Sequence, residues 1–172
     1  GAMGFDAIAL QQYPEAQKIN HVHHAGNSSG IVDGAALVLL ASEKAVKEQG
    51  LKPRAKVLAT ALVGSNPTIM LTGPAPAARK ALAKAGLTID DIDLFEVNEA
   101  FASVVMRFMT ELKVPAEKVN VNGGACALGH PLGSSGSRII VTLLHALKRT
   151  GGKKGVAALC IGGGEATAIA VE

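Results

Sequence analysis

Aromatic side chains are nearly missing from this chain: four Phe, one Tyr and no Trp among 172 residues. Nucleic-acid binding by base stacking is therefore excluded, and the scattered charge, net +3, offers no basic stripe to replace it. Cysteine is almost as scarce. Cys126 and Cys160 stand far apart, so they form neither a disulfide framework nor a CxxC metal pattern. That excludes a stapled secreted scaffold and points to a reducing, cytoplasmic setting. No apolar run reaches the length of a membrane span, and no signal-peptide pattern is present. Internal repeats and low-complexity segments are missing too. What remains is an aliphatic chain, 48% hydrophobic and only 18% charged. Its core must be built from Ala, Val, Leu and Ile, which suits a sheet covered by helices. The mild positive charge is compatible with an anionic small ligand such as a nucleotide or coenzyme A.

The opening Gly1-Ala2-Met3 reads as a protease-cleavage remnant. A short helix is expected within residues 5–20, ending near Tyr13-Pro14, followed by loop formers from His21 to Gly30. The unalternated apolar run Ala35–Ala41 has the length of a strand buried on both faces. Ser42 is placed to cap a helix over 43–49, which Gly50 closes. A second unit begins after Pro53. Its expected strands are 55–63, 92–96, 119–121, 156–159 and 167–171, and its helices 74–85 (stopped by Gly86), 100–112 and 134–149. The order β-α-β-α-β-α-β-β predicts a layered α/β domain with right-handed crossovers.

Two segments combine glycine with a proton-transfer side chain: Gly123-Gly124-Ala125-Cys126-Ala127-Leu128-Gly129-His130-Pro131 and Cys160-Ile161-Gly162-Gly163-Gly164. Glycine lets a backbone approach a ligand closely, and imidazole and thiol titrate nearest neutrality. His130, just before a helix, is either a neutral base or donor, or a turn histidine satisfying local backbone. Cys160 ends a strand, where functional groups of open α/β sheets gather, or is a small buried hydrophobe. Cys126 carries the same second reading. The glycines after Cys160 are suited to an anion-binding nest. Asn98 stands where a strand turns into a helix, either as an N-cap or as an amide that holds a water or polarises a carbonyl. Glu96 and Glu99 are helix-start acids or partners of such a site. Ser28 and Ser29 lie between Gly26 and Gly30, in a loop that a ligand chain can approach. His21, His23 and His24 have no companion ligand at metal-site spacing, so no metal is expected. Gly133-Ser134-Ser135-Gly136 lacks the Gly-Lys-Ser/Thr ending of a phosphate loop.

Four ordered blocks together closely resemble the C-terminal part of a thiolase: HHAGNSSGIVDGAA at 23–36, EVNEAFA at 96–102, NVNGGACALGHPLGSSGSRI at 120–139 and LCIGGGEATAIAVE at 159–172. The resemblance implies an acyltransferase working on coenzyme A thioesters, by thiolysis of a 3-ketoacyl-CoA or Claisen condensation of acetyl-CoA, with acyl-CoA as substrate and no covalently bound cofactor. It implies that Cys160 is the acid/base at the α-carbon, and that His130 activates the nucleophile and polarises a thioester oxygen. Asn98 then holds a water in one oxyanion hole, the Gly162 N–H belongs to a second, and Ser29 faces the pantetheine arm. The implied fold is the C-terminal half of a layered thiolase-like α/β protein, a mixed sheet with helices on its faces. Residues 4–52 become a remnant of the loop domain and N-terminal half, with an exposed edge at 35–41, and 53–172 the C-terminal domain. A homo-oligomer, and an N-terminal half in the same or another chain, are the implied partners.

Two positions depart from the family pattern. No segment here matches the one that carries the family's nucleophilic cysteine, so the isolated chain is expected to be inactive. Glu165 follows the glycine triplet where the family usually has an uncharged residue, and its carboxylate is expected either to raise nearby thiol and imidazole pKa values or to repel the phosphates of coenzyme A. The competing readings are a non-enzymatic acyl-CoA-binding or partner-scaffolding half-thiolase, and a hydrolase using Cys160 and His130 alone.

Overall fold

The computed structural model describes residues 3–172. Of the cleavage remnant expected at 1–3, Gly1 and Ala2 lie outside the described residues. Four strands, β1 (Val57–Gly64), β2 (Leu94–Val97), β3 (Gly155–Ile161) and β4 (Glu165–Val171), form one sheet in the order β1-β4-β3-β2. The strands β2 and β3 run parallel, whereas β4 is antiparallel to both of its neighbours. The helices are α1 (Phe5–Gln12), α2 (Glu43–Glu48), α3 (Pro74–Ala85), α4 (Ala102–Leu112), α5 (Ala125–Leu128) and α6 (Ser135–Thr150).

The period-2 alternation of side chains along a strand explains the layering. In β3, Val156 and Ala158 point into a core shared with α3 and α4, while Ala157 packs on the opposite face with Ile139 and Leu143 of α6. The shortage of aromatics has a packing consequence. Ala75, Ala77, Ala78 and Ala81 of α3 lie in one core with Ala166, Ala168 and Ala170 of β4, so helix and sheet meet through methyl groups. Two of the few aromatics sit at the centre of that layer: Phe95 and Phe108 meet edge to face at 5.6 Å.

Most expected elements form within two or three residues of their predicted bounds. The Ser42 Oγ accepts from the Ala45 N–H at 3.2 Å, and Gly86 caps α3. Lys148 and Arg149 fill the last turn of α6, where cations favour the helix dipole.

Three places differ. Residues 35–41 form no strand, and Leu37, Leu39 and Leu40 stand 88%, 77% and 75% exposed. An apolar run becomes a strand only where another strand supplies the ladder, and no strand of this sheet pairs with it. The strand expected at 119–121 shrinks to a single bridge between Val119 and Phe95. Asn120 is the cause. It adopts a left-handed conformation (φ 47), which its short polar side chain tolerates, and that ends the extended run. Its amide then accepts from the Val97 N–H (2.7 Å) and donates to the Val97 carbonyl (2.8 Å), taking the place of a neighbouring strand's peptide. The short helix α5 has no periodic signal in four residues and was not expected.

Burial sets the stability contrast. Phe108→Ala is expected to cost about 3–5 kcal/mol, whereas the exposed Leu39→Ser changes stability by less than about 0.5 kcal/mol. Urea unfolding of the chain followed by circular dichroism checks both, and equal losses would contradict the assigned core.

Candidate active site

The site grows from the C-terminal ends of the two parallel strands. Val97 is in register with Ala158, and the Asn98 N–H continues the ladder to the Ala158 carbonyl at 2.9 Å. Asn98 therefore leaves β2 beside the last residues of β3, one of which is Cys160. The helix that follows has its N-cap at Phe101, without a side-chain capping bond, so the Asn98 amide is not used as a cap. Asn98 is fully buried. Its Nδ2 lies 3.5 Å from His130 Nε2, and its Oδ1 has no hydrogen-bond partner in the chain.

His130 is held from both sides. Its backbone N–H donates to the Gly30 carbonyl at 2.8 Å, and its Nδ1 lies 2.6 Å from the buried Ser135 Oγ at the start of α6. The Ser135 hydroxyl donates to the Pro131 carbonyl, so its oxygen accepts from Nδ1–H. This tautomer leaves the Nε2 lone pair directed at Asn98. Burial, and second to it the Arg138 cation, lowers the His130 pKa below its usual 6.5, so the ring is neutral at pH 7. The expected upward push from Glu165 on imidazole is not found: Glu165 is exposed at the start of β4, and the ring shifts downward.

The Cys160 thiol is half-buried, and burial pushes its pKa up from 9.0. A thiol so placed is protonated at neutral pH, which suits a proton donor and acceptor better than a free-standing nucleophile. Cys126 is likewise raised, by burial and then by Glu99. Both cysteines are free.

Ser29 reaches the site through the backbone. Its N–H and Oγ both donate to the Ala100 carbonyl, at 3.1 and 3.0 Å, and Ser28 bridges Phe101. Residues 28–34 thus form a strap over the segment that carries His130. The strap needs a bare backbone beneath it: Gly129 has φ 88, and a Cβ there would lie 2.5 Å from the Val32 side chain. Gly162 is exposed at the turn between β3 and β4.

Glu99 proves to be a brace. Its carboxylate accepts from Asn120 Nδ2 (2.9 Å) and from the Cys126 N–H (3.1 Å), and a Cβ on Gly124 would overlap it. Glu96 pairs with Arg138, Oε1 to Nη1 at 3.0 Å. The three histidines that precede the strap act separately: His21 meets Asp6, His23 stacks on Phe101 and bonds Ser103, and His24 caps a 3-10 turn. No group of three potential metal ligands occurs among the described residues. The sequence reading missed Ser135, Asn120 and Arg138. Only Ser135 had a signal, five residues after His130 in the first turn of the next helix.

Asn98 leaves β2 beside the end of β3, which carries Cys160, and its amide meets the His130 ring, so the polar candidates of this α/β protein lie toward the C-terminal ends of its parallel strands. The chain belongs to the thiolase family: the model described as "Thiolase, C-terminal domain" matches residues 51–172. The chain is 57% identical over 148 residues to an acetyl-CoA acetyltransferase of Chromobacterium violaceum, covering 86% of the chain and 38% of that relative. The structure of the Bacillus anthracis acetyl-CoA acetyltransferase matches with a TM-score of 0.83 and 49% identity, over 86% of this chain and 38% of that one. Human mitochondrial 3-ketoacyl-CoA thiolase in complex with CoA matches with a TM-score of 0.80 and 44% identity, over 92% and 42%. The chain therefore spans about two-fifths of the length of these proteins and corresponds to their C-terminal portion. Among the described residues no helix is long and apolar enough to cross a membrane.

The raised thiol gives a direct measurement. Peptide-mapped iodoacetamide labelling of Cys160 is expected to be slow at pH 7 and still rising beyond pH 9. A rate that levels off near pH 7 would show a nucleophile-type cysteine instead.

Proposed function

We propose that this chain supplies the proton-handling part of a thiolase that transfers acyl groups to and from coenzyme A. The observation that carries the reading is the meeting of His130 Nε2 with the buried Asn98 amide, beside the strand end that holds Cys160.

Claisen chemistry needs a base for a carbon acid and preorganised donors for oxyanions. Cys160 is assigned the proton at the α-carbon: its thiolate takes that proton in condensation, and its thiol returns one to the acetyl carbon in thiolysis. His130 accepts a proton through Nε2 to activate the attacking thiol, then donates it to a developing thioester oxyanion. The Nδ1–H bond to Ser135 supports this assignment, because it leaves Nε2 as the acceptor. Asn98 is assigned to hold a water at the first oxyanion, supported by an Oδ1 that no group in the chain engages. The Gly162 N–H is assigned to the second oxyanion hole, supported by its exposed place just beyond Cys160. Ser29 is assigned to face the pantetheine arm, supported by its position on the strap over His130 and Ala100. No covalently bound cofactor is needed.

The acyl-enzyme nucleophile belongs to a segment preceding this portion, so residues 4–52 are read as parts of the loop domain and N-terminal half, and 53–172 as the C-terminal domain. The exposed Leu37, Leu39 and Leu40 support a complementing N-terminal half, and a homo-oligomer of the completed unit is part of the reading. Full burial of one leucine is worth roughly 1.5–3 kcal/mol, so three together rival the whole stability of a domain. Two free thiols support a reducing, cytoplasmic location.

The test is complementation. The 172-residue chain alone is expected to show no thiolysis of acetoacetyl-CoA, and co-refolding with an N-terminal thiolase half restores it. In the restored complex His130→Ala is expected to lower kcat by roughly 10²–10⁴-fold, and Asn98→Ala by about 10²–10³-fold. Halves that associate and remain inactive would defeat the assignment.

A further inference from the structure

Arg138 is the least exposed cation in the ion pairs of the described residues, and its one carboxylate partner, Glu96, is more deeply buried still at 1% exposure. Glu96 lies on β2 two residues before Asn98, and Arg138 lies on α6 three residues after Ser135. The pair therefore joins the two segments that bring Asn98 and Ser135 to the His130 ring. A single bond joins them, Nη1 to Oε1 at 3.0 Å, while Nε and Nη2 of Arg138 are buried without any hydrogen-bond partner. A two-pronged contact between guanidinium and carboxylate would cancel most of the cation's field. One off-centre contact leaves much of it uncancelled in surroundings that screen poorly. Burial also holds the Glu96 carboxyl at about 7, against the opposing pull of Arg138, so at neutral pH Glu96 is only partly charged.

We propose that Arg138 is a positioning residue of the site, a buried and under-compensated cation that adds to burial in keeping His130 Nε2 an acceptor facing Asn98. This rests on the reading of His130 as the base of a thiolase site. The charged and titratable groups around the pair are few: Glu99 faces Glu96 from the β2–α4 loop, Cys126 meets Glu99 from α5, and His130 itself follows α5. Glu99 is tied to Asn120 and to the Cys126 N–H, and beside burial Arg138 is the charge that acts on the ring.

The two explanations of Arg138, a charge on the ring or mere packing, predict different titrations. The readout is the His130 imidazole midpoint in the 172-residue chain, followed by nitrogen-15 NMR and assigned with His130→Gln. In the unaltered chain the midpoint is expected below 6.5. Arg138→Gln and Arg138→Met are expected to raise it by roughly half a unit or more, and Arg138→Lys, which keeps a cation, to leave it low. Glu96→Gln keeps Arg138 in place, so its midpoint is expected at or below that of the unaltered chain. A midpoint unmoved by Arg138→Gln, or raised equally by Glu96→Gln, overturns the proposal. Should the neutral Arg138 variants fail to fold, Glu96→Gln and Arg138→Lys decide alone, since loosened packing would raise both midpoints. The titration is independent of turnover: lost complementation with shifted midpoints would remove the thiolase reading and leave the charge effect, and the reverse result would do the opposite.

Discussion

The parallel pairing of β2 with β3 is the constraint on which the rest depends. Because Val97 is registered against Ala158, the ladder's last bond, from the Asn98 N–H to the Ala158 carbonyl, brings an amide out of one strand beside the residues that end the other. A slip of one residue would turn every side chain of β2 to the opposite face and separate Asn98 from its site. Neither strand holds that register by itself. The Asn120 amide locks Val97 from the open edge, and Glu99 ties Asn120 to the segment carrying Cys126. The site is thus framed by side chains that imitate backbone where the sheet has no fifth strand.

On this frame, burial sets the chemistry. It acts on four ionisable groups and disfavours the charged form of each, pushing Cys160, Cys126 and Glu96 up and His130 down. Arg138 is the exception, a cation kept near the site with only one acceptor. The strap of residues 28–34 adds shape, and it lies close because Gly129 offers no side chain beneath Val32.

Much of this was legible in the chain. Helix punctuation by Ser42, Gly86 and the basic end of α6, and the apolar strands after Pro53, follow from local rules that tertiary contacts reinforced. His130, Cys160 and Asn98 stood out because reactive types sat beside glycines and strand ends. Two readings failed for different reasons, although 35–41 and 119–121 both have strand composition. The first run finds no partner in this sheet, and the second is displaced by its own Asn120. Arg138 and Asn120 were hidden because their meaning lies in contacts with residues 42 and 23 positions away.

The sequence by itself determined the composition of the core, the elements of the C-terminal unit and the family, since these rest on periodicity, capping and ordered motifs. Only the tertiary structure decided which alternative each candidate residue took: Asn98 buried against His130 and not capping a helix, Glu99 as a brace, and the histidines 21, 23 and 24 dispersed. The physical reason is range. Capping and amphipathicity act over one or two turns, whereas a tautomer or a shifted pKa is set by whatever the fold carries to within a few ångströms.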